Sequence, residues 1–287
     1  MIVEYVHCCL QVHCSTTKVL GGSRYGSGIE TYEQQMYGGL WSNMVYDDSI
    51  EDAAVGALGP EGGSWFSAGG SCSVAGGGDA MNGNQSLQLG SGCVAVNRGV
   101  MIHDSPRTSM HFVGGKEYEG YLFARSKSPA AAATGTLRVS LLCAPVGKPV
   151  DPSSSTTWVT LASADLSIAV STVDSWPTTT GGGWTMHNFT LTPSADCLQG
   201  GKGKALGMGL ISIALVSSSS TLDTPDAIAT ADDRAVGVDK VMVEPGPWGR
   251  YEGMHVRRDL VDAFLGQKPT MMRLGGSMTN TDGFRFK

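Results

Sequence analysis

A chain of 287 residues is long enough for about two domains and for a hydrophobic core of its own. Only 16% of the residues are charged and Gly accounts for 40 of them, about twice its usual share, while 41% hydrophobic residues exclude global disorder. Twenty Lys and Arg against 26 Asp and Glu leave a net charge of −6, which excludes the broad basic face that nucleic acid or an anionic membrane surface would need.

In chain order, Met1–Cys14 carries Glu4 in place of a basic leader segment and has no clean small-residue cleavage site, so no secretory signal is read there and a misassigned or truncated start is expected. Tyr25–Glu30 is a short buried-strand candidate. From about Gly59 to Gly92 the residues are mostly Gly, Ser and other small types, which predicts a linker or a long surface loop. Short runs with period two follow: Leu137, Val139, Leu141 and Cys143; Leu166, Ile168 and Val170; Ile211, Ile213 and Leu215. Turn-forming clusters at 149–155, 178–183 and 223–233 separate them, with no long amphipathic helix between, and this spacing predicts a β-sandwich over about 60–245. The longest uncharged run, 205–222, ends in Ser217–Ser220 and its apolar part is shorter than the ~20 residues of a membrane span, so it is assigned as a buried strand. Beyond the sandwich, Val256, Leu260, Val261, Phe264 and Leu265 recur at helical spacing with Gly266 as the stop signal, and Thr270–Leu274 is a buried strand closed by Gly275 and Gly276. Helix followed by buried strand is α/β grammar. Taken with Tyr25–Glu30, it makes the sandwich an insertion between the first and second strands of a β/α barrel that stops at Lys287.

Seven cysteines (Cys8, Cys9, Cys14, Cys72, Cys93, Cys143 and Cys197) are an odd number and form no C-x-x-C pair, so zinc and redox motifs are absent. Gly200–Lys204 lacks the spacing of a phosphate loop, and Gly26-Ser27-Gly28 lacks the third glycine of a dinucleotide turn. The six histidines (His7, His13, His103, His111, His187 and His255) show no ligand spacing and default to solvated side chains. Two glycosylation sequons begin at Asn84 and Asn188. Among tryptophans, Trp158 and Trp184 open strand runs and are assigned to core packing, and Trp176, beside Pro177, is the freer candidate for stacking on a sugar.

Carboxylates point elsewhere. Glu30 and Glu33 stand three apart, but a retaining glycosidase holds its two carboxyl groups about 5–5.5 Å apart across the scissile bond, which normally takes two strands. Glu30 is therefore better placed as a ligand at a strand end with Glu33 as its solvated neighbour. Arg273 lies near the carboxyl end of a buried strand, followed by glycines that let a ligand approach the backbone, which suits the mouth of a β/α barrel as well as it suits a structural ion pair.

Three groups of segments carry a resemblance. Tyr25-Gly26-Ser27-Gly28-Ile29-Glu30, Met36–Met44 and Asp48-Ser49-Ile50-Glu51 resemble the opening of α-L-arabinofuranosidases of glycoside hydrolase family fifty-one. Asn97–Val100, Tyr118–Arg125 and Asp239–Pro245 are similar to the sandwich inserted in the longer members, itself similar to carbohydrate-binding modules. Val256–Val261, Lys268–Asn280 and Phe284–Lys287 resemble the family's first helix and second barrel strand. The resemblance implies a mixed fold: a jelly-roll-like antiparallel sandwich inserted into the start of an incomplete β/α barrel, with segments 1–58, 59–245 and 246–287. It implies that Glu30 hydrogen-bonds the arabinose, that Arg273 supports the active-site carboxylates and that Asn280 binds sugar, although Ser277 stands directly after the glycines where bacterial members have that asparagine and Thr31 replaces their histidine. The acid/base and nucleophile glutamates are expected beyond Lys287, so the chain alone is expected to be inactive. The implied function is release of terminal α-L-arabinofuranosyl groups from an arabinose-containing polysaccharide, with no metal or organic cofactor, by a secreted protein of open oligomeric state. Two other readings remain: a non-catalytic carbohydrate-binding or scaffold sandwich, and a heparanase-like barrel glycosidase, to which Arg273-Leu274-Gly275-Gly276-Ser277 is also similar.

Overall fold

The computed structural model describes residues 26–29, 40–59, 63–99, 110–126, 135–145, 158–168, 183–197, 207–216, 236–269 and 271–274. Two short strands, β1 (Gly26–Ile29) and, at the far end of the chain, β13 (Met271–Leu274), pair in parallel with Gly28 opposite Arg273. Between them run β2 (Gly56–Ala57), β3 (Trp65–Gly69), β4 (Cys72–Ala75), β5 (Ser86–Leu89), β6 (Val94–Asn97), β7 (Tyr118–Ser126), β8 (Gly135–Pro145), β9 (Val159–Ile168), β10 (Thr185–Leu191), β11 (Gly207–Val216) and β12 (Val236–Pro245), then the helix α1 (Arg258–Gln267). One antiparallel sheet has the order β10-β7-β12-β5-β4-β2 and the other β3-β6-β11-β8-β9. The described α/β part is β1, β13 and α1, and no closed barrel is seen among the described residues.

Alternation builds the core. Leu122 and Ala124 of β7, Val238, Val241 and Val243 of β12, and Leu87 and Leu89 of β5 face Leu137, Val139 and Leu141 of β8 and Ile211 and Ile213 of β11, all at most 1% exposed. Trp65, Phe112 and Tyr118 join the same layer, with the rings of Phe112 and Tyr118 meeting edge to face at 5.6 Å. The opposite parity of the five-stranded sheet is apolar too: Phe66, Val96, Leu142, Met208 and Leu210 form a second buried cluster, against which Trp158 packs edge to face and over which the Arg98 guanidinium sits 4.5 Å from the Phe66 ring. This double burial explains why β11 is a continuous apolar run. The six-stranded sheet instead shows a mainly polar outer face.

The segment Gly59–Gly92, expected as a linker or loop, holds β3, β4 and β5. Small residues there serve close strand packing: at Gly70, with φ +66°, an added Cβ would lie 2.1 Å from the carbonyl carbon of Gly92. Two disulfides staple the sheets, Cys72–Cys93 tying β4 to the start of β6, and Cys143–Cys197 tying β8 to the segment after β10. The predicted helix forms, but Gly266 lies inside it; Lys268 closes it in the left-handed conformation, its N–H donating to the carbonyl of Leu265. None of its residues is buried. Trp184 is fully buried, whereas Val170 and Trp176 lie outside the described residues.

Candidate functional site

Two places could handle a ligand. At the first, β1 and β13 run parallel, so their carboxyl ends lie side by side; Arg273 is the third residue of β13, and Glu30 directly follows β1. Glu30, Glu33 and Asn280 lie outside the described residues, and Arg273 is placed by its backbone register alone.

The second lies on the polar face of the six-stranded sheet and is built around a buried carboxylate. Glu244, 4% exposed near the end of β12, accepts hydrogen bonds from Ser42 Oγ at 2.5 Å and from Arg250 Nη1 at 2.8 Å, and His255 Nδ1 lies 2.9 and 3.0 Å from its two oxygens. Arg250 also reaches Glu119 through Nη2, so one guanidinium joins two carboxylates that the β7–β12 register sets opposite each other. Glu244 holds the His255 imidazolium above the ordinary histidine range by hydrogen bond and charge, against partial burial and Arg250. Trp41 stacks on His255 with centroids 6.3 Å apart. Segment 40–44 is zipped to this end of the sheet by backbone bonds: Met44 N–H to Val243 O, Ser42 N–H to His255 O, and Arg257 N–H to Leu40 O. His255 is solvent-exposed, as the default reading has it, and is also a network member; nothing in its spacing signalled this, because its partner Glu244 lies on β12, eleven residues earlier.

Beside the network a cleft of about 290 Å³ opens. Cross-strand pairs supply its walls: Asn188 opposite Tyr121 and Thr190 opposite Glu119 on β10 and β7, with Met242 opposite Tyr121 on β12. Gly120 allows the three strands to close up, since a Cβ there would lie 2.5 Å from both Met242 O and Phe189 Cζ. Tyr121 meets Phe123 edge to face at 6.2 Å, and burial pushes its phenol upward, keeping it a neutral donor and acceptor.

Elsewhere on the same face, Asp239 is fully buried and accepts the N–H groups of Met81, Asn82 and Lys240 at 2.8, 2.9 and 2.6 Å. Burial nevertheless outweighs these donors and pushes its carboxyl to about 7. Lys240, at φ 48°, marks the bulge in β12 and reaches Asp48 with Nζ at 2.5 Å. Among the described residues no cluster of His, Cys, Asp and Glu could hold a metal ion.

No protein-family model matches the chain, and no curated protein does. Among solved structures, an arabinose-bound α-L-arabinofuranosidase of glycoside hydrolase family fifty-one aligns over 87% of this chain and 34% of its own, with a TM-score of 0.55 and 14% identity. The chain shares its fold with part of that enzyme. It spans about a third of the enzyme's length. Lower similarity is found to a xylan-binding domain from Paenibacillus barcinonensis (TM-score 0.38, 14% identity, 69% of this chain and 97% of that one). An N-terminal cellulose-binding domain of a Cellulomonas fimi glucanase gives TM-score 0.34, 17% identity, and 69% and 97%.

Proposed function

We propose that the chain is the sugar-facing first part of a retaining α-L-arabinofuranosidase acting on arabinose-containing polysaccharide. Glu30 accepts hydrogen bonds from arabinose hydroxyls, Arg273 keeps a catalytic carboxylate ionised, Asn280 adds a further sugar contact, and the acid/base and nucleophile glutamates come from strands beyond Lys287. One observation carries this reading: β1 and β13 pair in parallel across the whole sandwich, with Gly28 opposite Arg273, so the strand ends bearing Glu30 and Arg273 are neighbours. The two disulfides fit a protein matured in an oxidising compartment and secreted.

The 287-residue chain on its own should release no arabinose from an aryl arabinofuranoside, since this reading puts the groups that form and resolve a glycosyl-enzyme intermediate beyond Lys287. A polypeptide extended past Lys287 through the remaining strands should release it. In that longer polypeptide Glu30→Gln or Arg273→Met should lower kcat/KM by roughly ten- to a hundredfold with the fold retained, as expected for loss of a charge-assisted hydrogen bond. Unchanged kinetics in both variants would reduce the two residues to a structural pair.

A further inference from the structure

The described lining of the cleft beside Glu244 comes from β7, β10, β12 and the segment after β12, not from β1 or β13. We propose that it binds a neutral, polyhydroxylated ligand: a sugar residue within a polysaccharide chain.

Charge balance is the first argument. Glu119 and Glu244 share Arg250, and His255 adds a second cation against Glu244 when it is protonated, so the carboxylates find their counter-charges inside the network. An anionic ligand would face Glu119, and a cationic one would face Arg250; neither finds an uncompensated opposite charge. The second argument is hydrogen-bonding character. Glu119 accepts, Arg250 donates, and the Asn188 amide, Thr190 hydroxyl and Tyr121 phenol each do both. Each hydroxyl group donates and accepts at once, so a polyol can match every wall group, whereas a purely apolar or purely accepting ligand leaves some of them desolvated and unmatched.

Shape is the third. The Tyr121 ring, braced by Phe123, offers a flat apolar side of the kind that packs on the C–H face of a sugar. A volume of about 290 Å³ lies at the small end of ligand pockets, roughly 300–1,000 Å³, which suits one or two sugar residues. Asn188 and Thr190 are exposed on β10, the edge strand of its sheet, so this wall of the cleft faces solvent.

The intact chain, made in a host that does not N-glycosylate so that Asn188 stays unmodified, can be run in native gels containing soluble arabinoxylan, β-glucan or galactan, with polygalacturonate as the anionic polymer. At least one neutral polymer should retard it, and polygalacturonate should not. The double substitution Asn188→Ala with Thr190→Ala, at two exposed positions that the fold tolerates, should weaken retardation tenfold or more. Tyr121→Ala should do the same, with its melting curve run alongside. Val159→Ser, at an exposed position on the edge of the other sheet, should leave retardation unchanged. Retardation by no neutral polymer, an undiminished effect in the double variant, or a stronger effect with polygalacturonate would overturn the proposal. Arabinose release by the longer polypeptide is read independently, so either idea can fail without the other.

Discussion

Glu244→Gln tests whether the network around this carboxylate is the clamp that its geometry describes. The side chain is 5% exposed and its partner Arg250 13%, so neither charge is well hydrated in the fold. Gln keeps the shape but removes the acceptor charge from three hydrogen bonds, those from Ser42, Arg250 and His255, and aims an amide N–H at a donor. A loss of about 1 kcal/mol per bond gives about 3 kcal/mol, at the lower edge of the roughly 3–5 kcal/mol for breaking a buried ion pair. A pH dependence follows from His255. Its folded pKa is raised above the unfolded value of about 6.5, so its contribution is present below that value and fades as pH rises through the raised one. Guanidinium unfolding of wild type and variant should therefore show a larger gap near pH ~5.5 than near pH ~9. A gap under about 0.5 kcal/mol, or one that does not change with pH, would refute the argument.

Removing Cys143–Cys197, which closes a separation of 54 residues, should cost about 4 kcal/mol, and removing Cys72–Cys93, with 21, about 3 kcal/mol, read as the drop in unfolding free energy of the paired Ala variants. Asp239, raised to about 7 by burial, makes the folded chain lose stability as pH rises from about 4 to about 7; Asp239→Asn should remove that slope, and a wild-type-to-variant difference constant over this window contradicts the assignment. Gly70→Ala combines a left-handed φ with backbone contact at Gly92 and should cost several kcal/mol, whereas Gly77→Ala, also at positive φ but with open space around it, should cost far less in the same melt.

The sandwich was legible where apolar residues recur at period two, as at Leu137, Val139 and Leu141 of β8, and in the uncharged run of β11, and β1 and β13 were legible as short strands of one parallel pair. Strands β3 to β5 were not, because Gly and Ser carry no periodic signal even when, as in Ser86–Leu89, every residue is buried. That β11 is apolar on both faces marked it as buried without showing that a second cluster around Phe66 would cover its outer side. The Glu119–Arg250–Glu244 network was invisible for another reason: Glu119 and Glu244 are far apart in sequence and meet only through the register of β7 and β12, whose bulge at Lys240 no local pattern announces. Glu30 and Arg273 stood out from their strand-end positions and the resemblance around them, and of this pair the structure adds the backbone register of Arg273 opposite Gly28.

The zipper of residues 40–44 along Val243 and His255–Arg257 has a kinetic meaning for the strand pair. In an unfolded chain β1 and β13 must find each other across residues 30–270. Once the sandwich has formed and residues 40 and 257 are bonded, only the tethers 30–39 and 258–270 remain to be closed. That is a loop about ten times shorter, an entropic saving of about 2 kcal/mol in the encounter. A sandwich that folds before the strand pair would act as a jig that presents the two strands to each other. Damage to the zipper, at Trp41 or Ser42 for instance, should be felt as slow or incomplete pairing of β1 with β13, although neither residue belongs to those strands.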